Sequence, residues 1–419
     1  MGRTVYSILI TLLLPILVLR LWLKGRQSPA YRARWSERMG YSKCPRPAGS
    51  LVWFHTVSVG ETIAAAPLIE AVMADERVSR VLITTTTPTG SDRVKAIFGD
   101  RVEHVYCPWD TPGCVKRFLR HWEPTIAVMM ETELWPNLIA ELELRCVPAI
   151  LANARLSEKS AQGYAKLPRI TKPMLTSFKA ILAQHHSDAQ RFVELGALPE
   201  KVHEVGSVKF DIKITPPQLS AADALKQQFG GRFVWVAAST HRGEDEQILE
   251  AHRALRKLVP DALLVLVPRH PERFDQVAQL AAKSAPTVRR SSGKLPEGAT
   301  AIYVGDTMGE MMVLFGASSA AFVGGSLIEH GGHNVLEPAV WSIPVVSGPH
   351  VHNFEAICQE MSAAGALEIV ADSAALGQYL LRLATDASMN QEKGDSAAAF
   401  LDTKRGALAA QLQHILALL

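Results

Sequence analysis

Short apolar runs that alternate with helix-like stretches are the feature that most limits how this chain can fold. Seven runs in the first half have the length and composition of buried strands, and the stretches 63–73, 115–122 and 134–144 between them have helical spacing. The predicted strands are 51–55, 81–85, 104–107, 125–130, 149–152, 180–183 and 202–205. Strands separated by helices form βαβ units, so this half predicts a parallel sheet with helices on both faces.

A second series of the same kind follows residues 211–232, where Pro216-Pro217 and Gly230-Gly231 predict a linker. Its predicted strands are 233–238, 263–268, 301–304, 320–323 and 344–347. At 419 residues the chain exceeds one comfortable core. We therefore predict an α/β protein with two doubly wound, Rossmann-like domains, over 49–210 and 233–419, that face a cleft. The final helix is a candidate for packing back onto the first domain.

The N-terminal segment predicts membrane attachment. Residues 5–19 carry no charge, and nine of residues 1–48 are Lys or Arg while one is acidic. Positive charge after an apolar run holds that side in the cytoplasm and favours an anionic membrane surface. We expect an uncleaved anchor with a basic juxtamembrane segment. A helix lying in the membrane plane and a cleaved signal peptide are the alternatives, although no small-x-small cleavage site follows the run.

Charge and cysteine usage narrow the partners further. The net charge of +3 arises from the basic N-terminal segment, because the rest of the chain is net negative, so a nucleic-acid partner is not expected. Five cysteines show no CxxC or zinc spacing. We expect them to be reduced thiols on the cytosolic side of a membrane.

The segment 322–349 predicts a nucleotide site. The pairs Gly324-Gly325 and Gly331-Gly332 follow a predicted strand and precede a predicted helix over 334–341, with Asn334 as its N-cap. Glycine lets the backbone approach a ligand closely, and the free N–H groups of a helix start favour an anion. Glu337, in the first turn, would serve the cap or accept hydrogen bonds from ribose hydroxyls.

Three other predicted strand ends in the second half are polar. Arg269 and His270 follow the strand 263–268, the run GDTMGE occupies 305–310, and STHRGE occupies 239–244. Arg and His at such ends can bind a phosphate or a base. A solvated loop before the next helix is the ordinary alternative for each run alone.

Strand ends in the first half carry acids and bases. Glu61 follows the first strand and begins a helix, where it is either a general base or an ordinary helix-start carboxylate. Glu131 and Glu133 follow the fourth strand, and Arg155 and Lys209 lie at later strand ends, where solvation is their simplest role.

Missing motifs exclude several classes. The sequence has no GxxxxGK[ST], GxGxxG, HExxH or GxSxG, and no Asp-x-Asp pair to hold a metal-bound nucleotide. His330 and His333 do not form a recognised metal-binding motif in the sequence and have no Cys near them, so we expect no metal there.

Taken together, the motifs SVGE, METELWPN, NARLS, GSVKFD, PRHPERF, GDTMGE and FVGGS through HNVLEP resemble the 3-deoxy-D-manno-octulosonic acid (Kdo) transferases, over nearly the whole chain. The resemblance implies a GT-B fold and inverting, metal-independent transfer of Kdo from CMP-Kdo to a lipid A precursor, lipid IVA, at the cell inner membrane. It makes Glu61 the general base and Glu131 and Lys209 transition-state stabilisers. It implies that CMP is bound by Pro268, Arg269, His270, Met308, Gly309, Glu310, Asn334, Val335, Leu336 and Glu337.

One position departs from this pattern, and two other functions stay open. His330 stands where family members carry Arg, so any charge contributed there becomes pH-dependent. The alternatives are a GT-B transferase that uses another nucleotide sugar on a membrane lipid, and a membrane-tethered, non-catalytic nucleotide-sugar binding protein. No cofactor beyond the donor substrate is expected, and the oligomeric state is not readable from the sequence.

Overall fold

A computed structural model describes residues 2–26 and 28–419, so positions 1 and 27 of the basic N-terminal segment lie outside the described residues. The chain forms two compact units. The first comprises Met1–Asp211 with Arg405–Leu419, and the second comprises Ile212–Lys404.

The first unit is built on a parallel sheet of seven strands in the order β3-β2-β1-β4-β5-β6-β7. Its strands are β1 Leu51–His55, β2 Arg80–Thr85, β3 Glu103–Tyr106, β4 Ile126–Met130, β5 Ala149–Ala154, β6 Ala180–Ala183 and β7 Val202–Glu204. The order reverses between β1 and β4, which are hydrogen-bonded neighbours. In doubly wound sheets ligands bind at the carboxyl ends of strands at such a reversal.

Alternating side chains of these strands supply two cores, one on each face of the sheet. Trp53 and Leu82 belong to one buried cluster, whereas Val52, Phe54 and Ile83 belong to the other. Burial on both faces explains why the strands read as continuous apolar runs. The helices of this unit are α1 Arg3–Lys24, α2 Trp35–Arg38, α3 Val59–Met73, α4 Pro88–Phe98, α5 Pro112–Trp122, α6 Pro136–Leu144, α7 Glu158–Ala165, α8 Pro168–Ser177, α9 His186–Glu194 and α18 Ala407–Leu416, with 3-10 turns at Pro29–Arg32, Gly99–Arg101, Pro199–Lys201 and Val208–Phe210.

The second unit repeats the design with a parallel sheet in the order β10-β11-β9-β8-β12-β13-β14. Its strands are β8 Val234–Thr240, β9 Leu263–Pro268, β10 Thr287–Arg289, β11 Ile302–Val304, β12 Ala320–Val323, β13 Val345–Ser347 and β14 Glu368–Ile369. Its helices are α10 Pro216–Phe229, α11 Asp245–Arg256, α12 Phe274–Ser284, α13 Met311–Gly316, α14 Leu336–Ala339, α15 Glu355–Ala363, α16 Ser373–Thr385 and α17 Ala387–Lys404, with 3-10 turns at Pro271–Arg273 and Arg290–Ser292. Here the order reverses between β8 and β12.

The two parallel sheets confirm the predicted α/β class, and the structure differs from the sequence interpretation in three places. Two short edge strands, β10 and β14, were not predicted. Residues 211–232 are not an open linker, because α10 occupies most of them and begins with a capping box between Thr215 and Gln218. Leu225 and Phe229 of this helix are buried in the core of the second unit.

The helix α18 belongs to the first unit although 193 residues of the second unit precede Arg405 in the chain. Its Ile415 lies in the core of the first unit. The buried Gln411 accepts a hydrogen bond from the Asn153 N–H at 2.9 Å, and Asp211 accepts bonds from the Gly406 and Leu408 N–H groups. These contacts fix the C-terminal segment against the end of β5.

The N-terminal helix α1 is long and apolar enough to cross a membrane, by length and composition. Its first turn is bonded to the first unit: the Tyr6 hydroxyl donates to Asp110 at 2.9 Å, and the Ser7 hydroxyl donates to the Asn137 side chain at 2.6 Å. Beyond the other end of the helix, Arg34 and Arg38 bond to the same unit, to His104 and Thr86. The start of α1 and the chain segment beyond its end are therefore bonded to the same folded body.

Candidate active site

Glu61 begins α3 at the carboxyl end of β1. Its backbone N–H donates to the N-cap Ser58, while its carboxylate accepts from the Ser58 hydroxyl at 2.8 Å and from the Val57 N–H at 2.9 Å. This is a reciprocal capping arrangement, so the ordinary reading of Glu61 as a helix-start carboxylate describes its contacts. The same contacts fix the orientation of the carboxylate at the reversal of the sheet.

Two further carboxylates lie beside Glu61, at the end of β4. Burial raises the pKa of Glu61, against the hydrogen bonds from Val57 and Ser58, and the charge of Glu131 raises it further. Burial, with the charges of Glu61 and Glu131, raises the pKa of Glu133 to about 7. Three carboxylates that repel one another at a partly buried site are candidates for proton transfer near neutral pH.

Neighbouring side chains fix Glu133 in this group. Its carboxylate accepts a hydrogen bond from the Trp135 indole at 2.7 Å and lies 3.9 Å from the ring of buried His55. Burial lowers the pKa of His55 to about 3, so this imidazole is neutral at neutral pH. Sequence interpretation named Glu133 without giving it a role, and its position makes it a functional candidate.

Glu131 and Lys209 lie close together, with 3.9 Å between the carboxylate and the ammonium group. Glu131 has a left-handed backbone, with φ of 52°. Such a conformation is costly for a non-glycine residue and is concentrated at functional sites. Lys209 follows β7 in a 3-10 turn, and its side chain is about a third exposed, 38%.

The buried Asn153 links the ends of β5 and β7 to the C-terminal segment. It is also left-handed, with φ of 50°, and its side chain accepts a hydrogen bond from the Val208 N–H at 3.2 Å. Since its own N–H is bonded to Gln411, the turn that carries Lys209 depends on a residue far away in the sequence. Arg155, two residues after Asn153, is exposed.

In the second unit the first glycine pair holds an internal anion. The fully buried Glu244 carboxylate accepts hydrogen bonds from Gly325 at 2.7 Å, from Ser326 and Leu327 at 3.0 Å, and from His241 at 3.3 Å. A Cβ at Gly324 would lie 2.9 Å from this carboxylate, so glycine is required there. These N–H groups are therefore bonded within the protein and are not free to bind a ligand.

The predicted helix over 334–341 is shorter than expected. It spans Leu336–Ala339, and its N-cap is Val335 rather than Asn334. Asn334 still serves the turn from one position earlier: its side chain accepts from the Leu336 N–H and donates to Glu337, both at 3.1 Å. Burial raises the pKa of Glu337, and the charge of Arg269 opposes that rise. Val335 and Leu336 are buried, so their side chains are not available to a ligand.

Arg269 and His270 follow Pro268, the last residue of β9. The Arg269 N–H donates to the Thr240 carbonyl at 3.1 Å, which ties the end of β9 to the end of β8. Arg273, in the next turn, donates to the same carbonyl and pairs with the buried Asp245. Asp245 neutralises Arg273, whereas no carboxylate within the described residues forms an ion pair with Arg269.

The run 305–310 follows β11. Met308 is 65% exposed and Gly309 has φ of 82°, and neither backbone N–H has an acceptor among the described residues. The side chain of Glu310 is engaged, since it pairs with Arg290 at 2.7 Å and accepts from Thr307. Of this run, the backbone at Met308 and Gly309 is therefore what the protein leaves open to a ligand.

A family model described as 3-deoxy-D-manno-octulosonic-acid transferase (kdotransferase) matches residues 33–212. The 3-deoxy-D-manno-octulosonic acid transferase of Haemophilus influenzae is 42% identical over 414 residues, which are 97% of this chain and 96% of that protein. The chain belongs to the Kdo transferase family. The Bordetella pertussis enzyme of the same name is 35% identical, and the match covers 97% of each chain.

The fold of this transferase is also found in solved structures. UDP-GlcNAc 2-epimerase from Neisseria meningitidis, bound to UDP-GlcNAc, matches with a TM-score of 0.57 at 14% identity, over 88% of this chain and all of that one. At that identity the likeness concerns the fold alone. With the two parallel sheets it confirms the predicted GT-B class.

Three histidines of the transferase lie together at the reversal of the second sheet. His241 follows β8, and His330 and His333 flank the second glycine pair. One ligand nitrogen from each ring lies within 4.8 Å of the other two, and the Nε2 atoms of His241 and His333 are 2.8 Å apart. The sequence interpretation of His330 and His333 did not include His241, because that residue is about 90 positions away.

Proposed function

We propose that this chain transfers Kdo from CMP-Kdo to a hydroxyl group of a lipid A precursor, lipid IVA, in lipopolysaccharide inner-core synthesis. The observation that carries the proposal is the group of Glu61, Glu131 and Glu133 at the reversal of the first sheet, with Lys209 beside Glu131. Family membership supports the sugar, and the acidic group supports a reaction in which a hydroxyl must lose a proton.

Glu61 is the proposed general base. The acceptor oxygen forms a bond to the anomeric carbon of Kdo while the bond from that carbon to the CMP phosphate oxygen breaks, and the acceptor proton passes to Glu61. A carboxylate with a raised pKa is a better base, provided that it stays largely ionised at the working pH. The bonds from Val57 and Ser58 keep Glu61 oriented for this step. A direct displacement of this kind inverts the anomeric centre.

The departing CMP is a phosphate monoester, so negative charge grows on it during the reaction. We assign its binding to the second unit, to Arg269 and His270, to the open backbone at Met308 and Gly309, and to the segment from Asn334 to Glu337. Lys209 and Arg269 provide fixed positive charge for the transition state. Cationic side chains at these positions support a transfer that needs no metal ion.

We propose further that α1 lies along the surface of the inner membrane on its cytoplasmic side. A helix of 22 residues is about 33 Å long, enough to cross a bilayer core of about 30 Å. The start of α1 bonds to the first unit through Tyr6 and Ser7, and the chain beyond α1 bonds to the same unit through Arg34 and Arg38. A crossing helix would place these two groups of residues on opposite sides of the bilayer. The partly covered residues Tyr6, Ser7, Ile10, Leu14, Leu17, Val18 and Leu21 recur at helical spacing on one side. The exposed apolar side then faces lipid.

In the decisive experiment the purified chain is incubated with CMP-Kdo and a tetra-acylated lipid A precursor, and the masses of the products are measured by mass spectrometry. A mass increase of one or more Kdo residues supports the proposal and counts the units transferred. No product under conditions in which the Haemophilus influenzae enzyme is active overturns it. Competition separates the donors, because CMP should inhibit the reaction and UDP should not.

A further inference from the structure

We propose that His241, His330 and His333 form a binding site for a divalent transition metal of the Zn²⁺ class. The three ligand nitrogens already lie within 4.8 Å of one another. Imidazole ligands suit Zn²⁺, Co²⁺ and Ni²⁺, whereas Mg²⁺ prefers oxygen. Three histidines leave a fourth tetrahedral position open, for water or for an anion such as inorganic phosphate.

The distances fit such an ion with small side-chain movements. Two nitrogens that bind one tetrahedral Zn²⁺ at about 2.0–2.1 Å are about 3.3 Å apart. The Nε2 atoms of His241 and His333 are 2.8 Å apart, slightly closer than that. The rings of His241 and His330 are 3.8 Å apart between centroids and 35° from parallel, so the exposed His330 has to turn out of this arrangement to bind the same ion.

The backbone that carries the three rings is held in place before any ion binds. Glu244 accepts a hydrogen bond from the N–H of His241 and from three N–H groups of the segment that leads to His330. One buried carboxylate therefore fixes both pieces of chain. A Cβ at Gly325 would lie 3.2 Å from the His333 ring and 3.4 Å from the His241 ring, so this glycine makes room for the pair.

The Nε2 atoms of His241 and His333 face each other at hydrogen-bond distance, 2.8 Å, so one of them carries a proton towards the other. An ion that binds both Nε2 atoms requires each ring in the tautomer that carries its proton on Nδ1.

The charge of Arg269 opposes a cation here and predicts what occupies the fourth position. The charge of Arg269 acts on both His241 and His333, and that of Arg273 acts on His241 although Arg273 is paired with Asp245. An anion on the open position would offset this charge. Metal binding should therefore tighten when inorganic phosphate is present.

The test uses the full chain without a polyhistidine tag, stripped of metal, and needs neither nucleotide nor acceptor. Co²⁺ is titrated and followed by its visible absorption, and bound Zn²⁺ is counted after equilibrium dialysis. We expect one ion per chain, and no binding of Mg²⁺ at the same concentration. Because activity is not read, failure of the transferase proposal would leave this result unchanged.

Variants decide which residues bind the ion. His330→Gln removes the exposed ligand with little risk to folding. It should weaken Co²⁺ binding at least about tenfold, because loss of a residue that only orients a metal ligand already lowers metal affinity by about that factor. The control His186→Gln changes an exposed histidine of the first unit and should leave the affinity unchanged. Absence of Co²⁺ and Zn²⁺ binding, or equal affinity in the parent and His330→Gln, would overturn the proposal.

Discussion

The Tyr6 hydroxyl donates a hydrogen bond to the Asp110 carboxylate, joining the first turn of an apolar helix to the loop after β3. Asp110 also accepts from the backbone of Asn137 and Leu138, at the start of α6. The apolar helix and the start of α6, a few residues from Glu131 and Glu133, therefore share one buried carboxylate. The orientation of α1 therefore depends on contacts within the protein as well as on the membrane.

The first prediction concerns the side of the membrane on which α1 begins. In a Cys146→Ser background, which removes the exposed native thiol, Thr4→Cys should react with a membrane-impermeant maleimide in inverted inner-membrane vesicles. A helix that lies on the cytoplasmic surface keeps its first turn on the outside of such vesicles. Ser157→Cys, on the folded domain, is the positive control. Protection of position 4 together with labelling of position 157 would mean that α1 crosses the bilayer.

The second prediction separates the chemistry of Glu61 from its capping role. Glu61→Gln should reduce turnover by roughly 10²–10⁴, the range for loss of a general base. Glutamine is accepted at this position of a capping box, so the unfolding midpoint in urea should change little. Glu70→Gln, on the same helix, is the matched control and should keep its activity. Full turnover in Glu61→Gln would remove the residue from the role of base.

The third prediction concerns pH. The pKa of Glu133 is raised to about 7, above an ordinary value of 4.5, so the folded state binds a proton that the unfolded state has lost. Stability from this group is present at low pH and declines as pH rises from about 4.5 to about 7, by at most about 3 kcal/mol. Glu133→Gln should flatten that part of the profile of unfolding free energy against pH. Glu200→Gln, which changes an exposed carboxylate, should leave the slope of unfolding free energy against pH unchanged. If Glu133→Gln has the same slope as the parent protein, the raised pKa of Glu133 is contradicted.

The fourth prediction concerns the nucleotide. Arg269→Ala should weaken CMP binding by about 10- to 100-fold, as expected for loss of a charged hydrogen bond of about 1.5–3 kcal/mol. Isothermal titration calorimetry measures it directly. Arg242→Ala removes an exposed charge of the same domain and serves as the control. Equal CMP affinity in Arg269→Ala and the parent would rule out a phosphate contact.

The fifth prediction concerns Glu244. Glu244→Ala leaves four backbone N–H groups without their acceptor, three of them in one glycine-rich turn. Each buried donor left unsatisfied costs about 1–3 kcal/mol, so the unfolding free energy should fall by about 3 kcal/mol or more. The exposed neighbour in Glu246→Gln is the control. A change below about 0.5 kcal/mol, the size of an ordinary surface substitution, would show that water replaces the carboxylate.

The sequence allowed both sheets to be predicted because their strands are buried on both faces and read as uninterrupted apolar runs. The missed strands β10 and β14 are edge strands of three and two residues, too short for such a run. Pro216-Pro217 suggested a break, yet proline is favoured in the first turn of a helix, and α10 begins there.

The sequence identified the individual polar strand ends, but it did not predict which of their side chains contact one another. Glu61, Glu131 and Lys209 could be named from their places after strands and from the family resemblance. Glu244 looked like one more polar residue before a helix, and its partners 81 to 83 positions away became visible only in the folded chain. For the same reason Gln411 was not named, and the contacts of His241 with His330 and His333 were not foreseen. Local spacing carries no information on contacts of that range.

The return of residues 405–419 to the first unit has a consequence for synthesis on the ribosome. Ile415 and Gln411 complete the core and the Asn153 turn of a body whose other residues end at Asp211. That body cannot finish folding while the second unit is still being translated. Completion of the first unit therefore requires residues that are synthesised after the whole of the second unit, whereas the residues of the second unit are contiguous in the chain.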